Sequence, residues 1–342
     1  MSLPESPCQD CESHISRRRF LQTTLGGIAA VSAGGIILPR SGFAAPTMQS
    51  KSETLAATLY KSLSEEQRAA ICFAFDHPLR SKVDNNWHIV PKSIANFLNK
   101  DQQQMVREIF VGLHSPEYAE KVMQQVEHDN EDDGGFGAGA VALFGEPGTG
   151  KFEFVFTGRH VTRRCDGDSV EGAAFGGPIF YGHAAEGFNE KPDHPGNIYW
   201  YQALRANHVF QMLDSKQREA ALLTGESRGE KATDTVKLSG KDEGLAGIAM
   251  TDLSSDQRDE VRKVMADVLA PFRKDDVDEA LKLIDGPDGK GFDHLHLSFY
   301  KNQDIGNDGV WDVWQVEGPT MVWYFRGKPH VHVWVNVRNS TV

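Results

Sequence analysis

The segment Pro329-His330-Val331-His332-Val333-Trp334-Val335-Asn336-Val337 alternates strictly between valines and polar or aromatic residues. A period of two marks a β-strand with one buried face, so Val331, Val333, Val335 and Val337 seek a core while His330, His332, Trp334 and Asn336 share the opposite side. Imidazoles at alternate positions leave the same face roughly 6.5 to 7 Å apart, a separation at which both can turn onto one metal ion. Asp293-His294-Leu295-His296-Leu297-Ser298-Phe299 repeats the pattern, so two strands offer four imidazoles. The plain alternative is two hydrogen-bonded or solvated pairs that never meet.

The 342 residues, 39% of them hydrophobic, suffice for a full core. A formal charge of -12 argues against nucleic acid and anionic membrane surfaces, which reward a concentrated positive patch. Residues 1–45 read as a leader: Ser16-Arg17-Arg18-Arg19-Phe20-Leu21, the weakly apolar run Leu25 to Leu38, and the small-residue exit Gly42-Phe43-Ala44-Ala45 resemble a twin-arginine signal peptide. No later run reaches the 18 or so apolar residues of a spanning helix. The expected location is therefore periplasmic or secreted, with the twin-arginine translocon as a partner during export and no stable membrane insertion. Beyond the leader only Cys72 and Cys165 remain, so at most one disulfide is open.

Leu63-Ser64-Glu65-Glu66-Gln67-Arg68 carries a capping box, Ser64 with Gln67, and predicts a helix to about Phe75. Similar starts return at Leu98-Asn99-Lys100-Asp101-Gln102, Leu213-Asp214-Ser215-Lys216-Gln217-Arg218 and Leu253-Ser254-Ser255-Asp256-Gln257-Arg258. Their uneven spacing excludes a solenoid and leaves convergent helix starts or an old duplication. Gly145-Glu146-Pro147-Gly148-Thr149-Gly150-Lys151 has phosphate-loop spacing, but Phe152 stands where Ser or Thr must hold magnesium, and Phe152 to Phe156 alternates like a strand. A hairpin turn explains it better. Asp129 to Gly134 resembles the start of a calcium loop whose twelfth position falls on Ala140, which favours a solvated acidic loop. Two further histidines, His160 in Gly158-Arg159-His160 and His183 behind Gly182, lie next to glycines that permit close approach to a ligand.

Past Asp285 the chain turns to β structure, with strands expected over His294 to Tyr300, Val310 to Glu317, Thr320 to Phe325 and His330 to Val337. The aromatic residues gathered there, Trp311, Trp314, Trp323, Tyr324 and Trp334, read first as core or cross-strand pairs. The expected fold class is α+β: capped helices packed on a largely antiparallel β-sheet with a C-terminal β-meander. Residues 46–342 are expected to form one domain, helical over 52–128, mixed over 136–285 and a β-meander over 294–337.

The order of Leu63-Ser64-Glu65-Glu66-Gln67-Arg68, Phe144-Gly145-Glu146-Pro147, Gly158-Arg159-His160, Gly318-Pro319 and His330-Val331-His332 resembles the bacterial family known as domain of unknown function 3500. The resemblance implies related positions for His160, His330 and His332 but no reaction. Arg159 stands where the family pattern has a first histidine, and the His294/His296 pair is no part of that pattern.

These residues lead to an exported histidine-rich protein that binds a transition metal: copper, zinc or iron, since imidazoles suit these better than magnesium or calcium. The expected ligands are His330 and His332, then His160 and His296, with His294 and His183 behind them. Arg159, Glu317 and Asp293 are the expected proton-transfer or orienting groups. Copper or iron would make the protein an oxidoreductase acting on a small-molecule or glycan substrate, and zinc a hydrolase; the alternative is a non-catalytic exported metal- or glycan-binding protein.

Overall fold

Four capping boxes open helices as the sequence indicates, each with the N-cap side chain accepting from the third helical amide while a glutamine reaches back. The computed structural model describes residues 45–183, 194, 196–287, 289–301, 304, 309–327 and 330–341. The expected leader lies, up to its last residue, outside them, as do residues 306–308 and 328–329, which separate expected strands.

In chain order, helices α1 (Lys51–Ser62) and α2 (Glu65–Ile71) lead into strand β1 (Cys72–Phe73), followed by α3 (Ile94–Phe97), α4 (Lys100–Gly112), α5 (Ala119–Asp129) and strands β2 (Ala140–Gly145), β3 (Phe152–Gly158), β4 (Val161–Cys165) and β5 (Ile179–Gly182). The sequence of elements then returns: α6 (Tyr201–Met212), α7 (Ser215–Ala221), β6 (Leu222–Leu223), β7 (Ile248–Ala249), α8 (Ser255–Leu269), α9 (Lys274–Asp285), β8 (His296–Tyr300), β9 (Val313–Glu317), β10 (Met321–Arg326) and β11 (His332–Val337). The helix expected to reach Phe75 stops at Ile71, because Cys72 is extended and pairs in parallel with Leu143.

Among the described residues the strands form one sheet of order β1-β2-β3-β4-β5-β11-β10-β9-β8-β6, with β7 on β8. Read from either end the order is the same. β1 on β2 and β6 on β8 are parallel, every other pair is antiparallel, and β5 and β11 join the halves about Ile179 and Val335. The four helix starts are thus two copies of one pair, the arrangement an old duplication would leave.

Their side chains repeat as well. Gln67 Nε2 donates to Gln102 Oε1 at 2.9 Å and to Phe97 O at 3.0 Å, while Gln217 Nε2 donates to Gln257 Oε1 at 2.9 Å and to Asp252 O at 3.0 Å. Each capping glutamine therefore also pins the neighbouring helix, and the buried amides leave little polar capacity unsatisfied.

Val331, Val333, Val335 and Val337 enter the main core with the helices, as their alternation requires. On the opposite face Phe180, Val322, Tyr324 and Trp334 make a second cluster with Val83 and Val236, contributed by the segments that follow β1 and β6. Trp314, Trp323 and Trp334 are all fully buried. Residues 145–151 turn a β2–β3 hairpin, with Gly145 at φ 71° and Glu146 N bonded to Lys151 O at 3.3 Å. Cys72 and Cys165 are free thiols. No helix among the described residues is long and apolar enough to cross a membrane.

Buried carboxyls collect where α9 meets the loop after β4. Arg273 pairs with Asp276 and Glu53, whereas Asp166 and Glu279 have no ion pair among the described residues. Burial, reinforced by the charge of Glu153, pushes Asp166 up to about 7. Burial followed by Asp166 and Asp276 pushes Glu279 up to about 8. A carboxyl that holds its proton more tightly folded than unfolded contributes most stability in acid and loses it as pH rises through the folded value. Asp166→Asn is expected to flatten the decline in melting temperature between about pH 4 and about pH 7. An unchanged slope in scanning calorimetry would remove Asp166 as its source.

Candidate metal centre

The β3–β4 hairpin pairs Gly158 with Val161, leaving Arg159 and His160 as its two turn residues. His160 adopts φ 57°, a left-handed conformation that costs energy for any residue with a β-carbon. It is held there by His160 N bonded to Asn85 O at 2.8 Å and by Gly182 N bonded to His160 O at 3.1 Å. The matching turn of the second repeat, Gly318-Pro319-Thr320-Met321, closes with Gly318 N to Met321 O at 2.9 Å and carries no histidine. Only one of the two equivalent hairpins thus bears the strained imidazole.

His330 and His332 arrive from the other side of the seam, at the entry to β11, where His332 pairs with Gly182. A β-carbon on Gly182 would stand 2.6 Å from Val331 O and 2.8 Å from His332 Cδ2, so glycine is what lets the ring approach. His160, His330 and His332 offer ring nitrogens that all lie within 4.8 Å of one another, and they form a group that could hold a metal ion. The rings are 3%, 2% and 5% exposed, which shields any ion they share from bulk water.

Two carboxylates aim these rings. His160 Nδ1 lies 2.8 Å from Asp129 Oδ2, and His332 Nδ1 contacts both Glu230 Oε1 and Arg326 Nη2, a group that can only donate. A ring that donates through Nδ1 presents the Nε2 lone pair, the arrangement by which carboxylates orient ligating histidines. Glu230 is itself anchored by Trp334 Nε1 at 3.0 Å and Arg326 Nε at 2.9 Å. His330 Nε2 and His332 Nε2 face each other at 3.0 Å. Two lone pairs at that separation repel unless a cation or proton lies between them, so the donor set fits a metal.

Burial keeps His330 and His332 neutral and able to ligate. Burial, then His332, His160 and Arg326, lowers His330 to about 2; burial, then Arg326 and His160, holds His332 well below its ordinary range. His183 is 2% exposed and lowered to about 4, chiefly by burial. Its Nδ1 lies 3.7 Å from Asp129 Oδ1, and both of its ring nitrogens lack a hydrogen-bond partner among the described residues. It stands beside the triad, across Asp129, and outside the three-ring group.

The two His-x-His pairs do not converge. β8 is separated from β11 by β9 and β10, three strand spacings or roughly 14 Å. His294 is half exposed in a 3-10 turn and pairs with Asp242 at 2.8 Å, and His296 Nδ1 lies 3.4 Å from Gly247 O. Asp293 pairs with Arg258, which lowers its pKa, and Glu317 on β9 pairs with Arg228. Arg159 braces the site, donating from Nη1 to Asp129 O at 2.9 Å.

Asp129 and Glu230 are the functional residues that sequence reasoning misses. Asp129 belongs to the segment expected to be a solvated loop, yet it ends α5 on the face of Val122 and Val126 and is 4% exposed. That helical spacing was a usable signal. Glu230 sits in a loop between β6 and β7, where no periodicity marks it.

A duplicated α+β fold with a carboxylate-backed three-histidine centre at its seam defines a protein with a candidate transition-metal site. The chain belongs to the family described as "Protein of unknown function (DUF3500)", which matches residues 46–337. No curated protein matches it, and no solved structure does.

Neutralising either aiming carboxylate is expected to weaken metal binding. Asp129→Asn and Glu230→Gln should each raise the dissociation constant by about 10- to 100-fold, read by competition with a chromophoric chelator. His294→Ala should leave it unchanged.

Proposed function

We propose that this is an exported, metal-dependent enzyme whose ion is held by His160, His330 and His332. The observation that carries the reading is the pair of Nε2 atoms 3.0 Å apart with a third imidazole beside them. Three imidazoles without a thiolate suit copper, iron or zinc, and they leave room in the coordination sphere for a reactant. A fourth closed ligand would favour storage or structure instead.

Bound there, copper or iron would supply electron transfer and zinc would supply Lewis acidity. We place oxidation first, because the rings are buried against aromatic neighbours, with Phe180 edge-on to His332 at 5.1 Å, and a hydrolase must admit water as a reactant. Asp129 holds the His160 ring with its Nε2 lone pair free, Glu230 and Arg326 together fix the His332 ring in place, and Arg159 fixes Asp129. A zinc hydrolase remains the second reading within the same class. A non-catalytic metal-binding protein is the alternative, supported by the depth of burial of the triad.

Protein purified without a tag and refed separately with copper, iron and zinc is expected to hold close to one equivalent of a transition metal by elemental analysis. His330→Ala should lose it. Less than about a tenth of an equivalent after refeeding would end the metal reading.

The export reading rests on Ser16-Arg17-Arg18-Arg19-Phe20-Leu21 and the apolar run behind it. The protein is proposed to act in the periplasm or outside the cell, carried by the twin-arginine translocon. The double substitution Arg17→Lys, Arg18→Lys is expected to retain the full chain in the cytoplasm, measured by cell fractionation and immunoblotting; unimpaired export would overturn the route.

A further inference from the structure

The second sheet face carries a groove that the metal chemistry does not use. It encloses about 460 Å³ between two segments that occupy the same place in the two repeats. Both follow the short strand that opens each half of the sheet, and they meet where Val83 N donates to Thr233 Oγ1 at 3.2 Å. Its lining includes Lys82, Asp84, Trp87, Lys231, Thr233 and Asp234.

Each wall is continuous with one arm of the metal centre. On one side Asn85 O holds His160 N at 2.8 Å, and Thr162 Oγ1, two residues beyond His160, bonds to both Asp84 O at 3.2 Å and Trp87 Nε1 at 2.9 Å. On the other side Lys231 directly follows Glu230, the carboxylate that aims His332. Between them Ala232 takes φ 50°, a left-handed conformation that alanine adopts only under constraint. A molecule lodged here lies against both arms that position the ligating rings.

The chemistry of the lining selects among occupants. Lys82 and Lys231 are balanced by Asp84 and Asp234, with the imidazole of His88 beside them, so an anion meets two carboxylates and a cation two ammonium groups. A purely apolar ligand would strip water from four charges without replacing those hydrogen bonds. What suits such a lining is a neutral molecule rich in hydroxyl groups: carboxylates accept from hydroxyls, and lysine and threonine donate to them. Trp87, half-buried and tethered through its indole N–H, adds an amphipathic ring whose negative face matches the weakly positive C–H face of a sugar. The volume is within the range of small-ligand sites.

We propose that this groove binds a neutral carbohydrate, of one to a few sugar units, against the two segments that position the ligating rings. The binding stands on the groove alone, whereas its consequence as substrate binding rests on the metal-dependent reading above.

The test is calorimetric titration of the full exported chain with cellobiose, maltotriose and N,N′-diacetylchitobiose, alongside digalacturonate as an anionic control, each with metal-loaded and chelator-stripped protein. At least one neutral sugar is expected to bind with a dissociation constant below about 1 mM. Asp234→Ala and Trp87→Phe should weaken it about tenfold or more with metal content and melting temperature unchanged, and Trp87→Ala serves only if it folds. Binding that survives metal removal supports the groove even if the metal reading fails. No binding by any neutral sugar, binding only by digalacturonate, or binding that neither variant weakens would overturn the proposal.

Discussion

The antiparallel join between β5 and β11 is the contact on which the rest of the molecule depends. Each half of the chain builds a five-stranded run that would end in a row of unpaired backbone groups. Pairing Ile179 with Val335 and Gly182 with His332 removes both edges at once and makes one continuous sheet. Because the two halves meet in opposite directions, residues that are distant in sequence come to face each other across the seam. The candidate metal centre is assembled there: His160 from a hairpin of the first half, and His330 and His332 from the entry to the last strand of the second.

Duplication supplied two equivalent positions and only one became a histidine site. Where the first repeat turns through Arg159 and His160, the second turns through Pro319 and Thr320. At the join, Arg326 stands opposite His332, whereas near the other end of the seam the carboxyl of Asp166 packs on Gly176. Asp166, Asp276 and Glu279 share a strong burial penalty that raises their pKa values, while the same penalty on the other side lowers those of His330 and His332 and keeps them neutral. Burial therefore works in opposite chemical directions at the two ends of one seam.

Much of this was legible residue by residue. The glutamine that closes each capping box, the valine face of the last strand and the hairpin at Gly145 to Lys151 all follow from local rules that the folded chain obeys. The C-terminal meander also forms, although its first strand begins at His296 and its second at Val313, later than alternation alone suggests. His294 illustrates the limit. It shares a spacing with His296 that looks like His330 and His332, but strand order separates the two pairs, and no spacing within a strand encodes the order of strands. Asp129 was read as part of a solvated loop because its acidic neighbours are, although its place on the apolar face of α5 indicated otherwise.

The sequence by itself determined the elements: where helices start, which strand face is buried, which side chains are chemically capable of holding a metal, and that the composition beyond residue 45 offers imidazoles and no thiolate cluster. These depend on interactions within a few residues, which a linear pattern records. Tertiary structure alone decided which imidazoles meet, that Asp129 and Glu230 aim them, and that two repeated segments enclose a groove against the same arms. Those outcomes depend on which strand edges pair across the seam, and that choice is made by the satisfaction of backbone groups over the whole sheet.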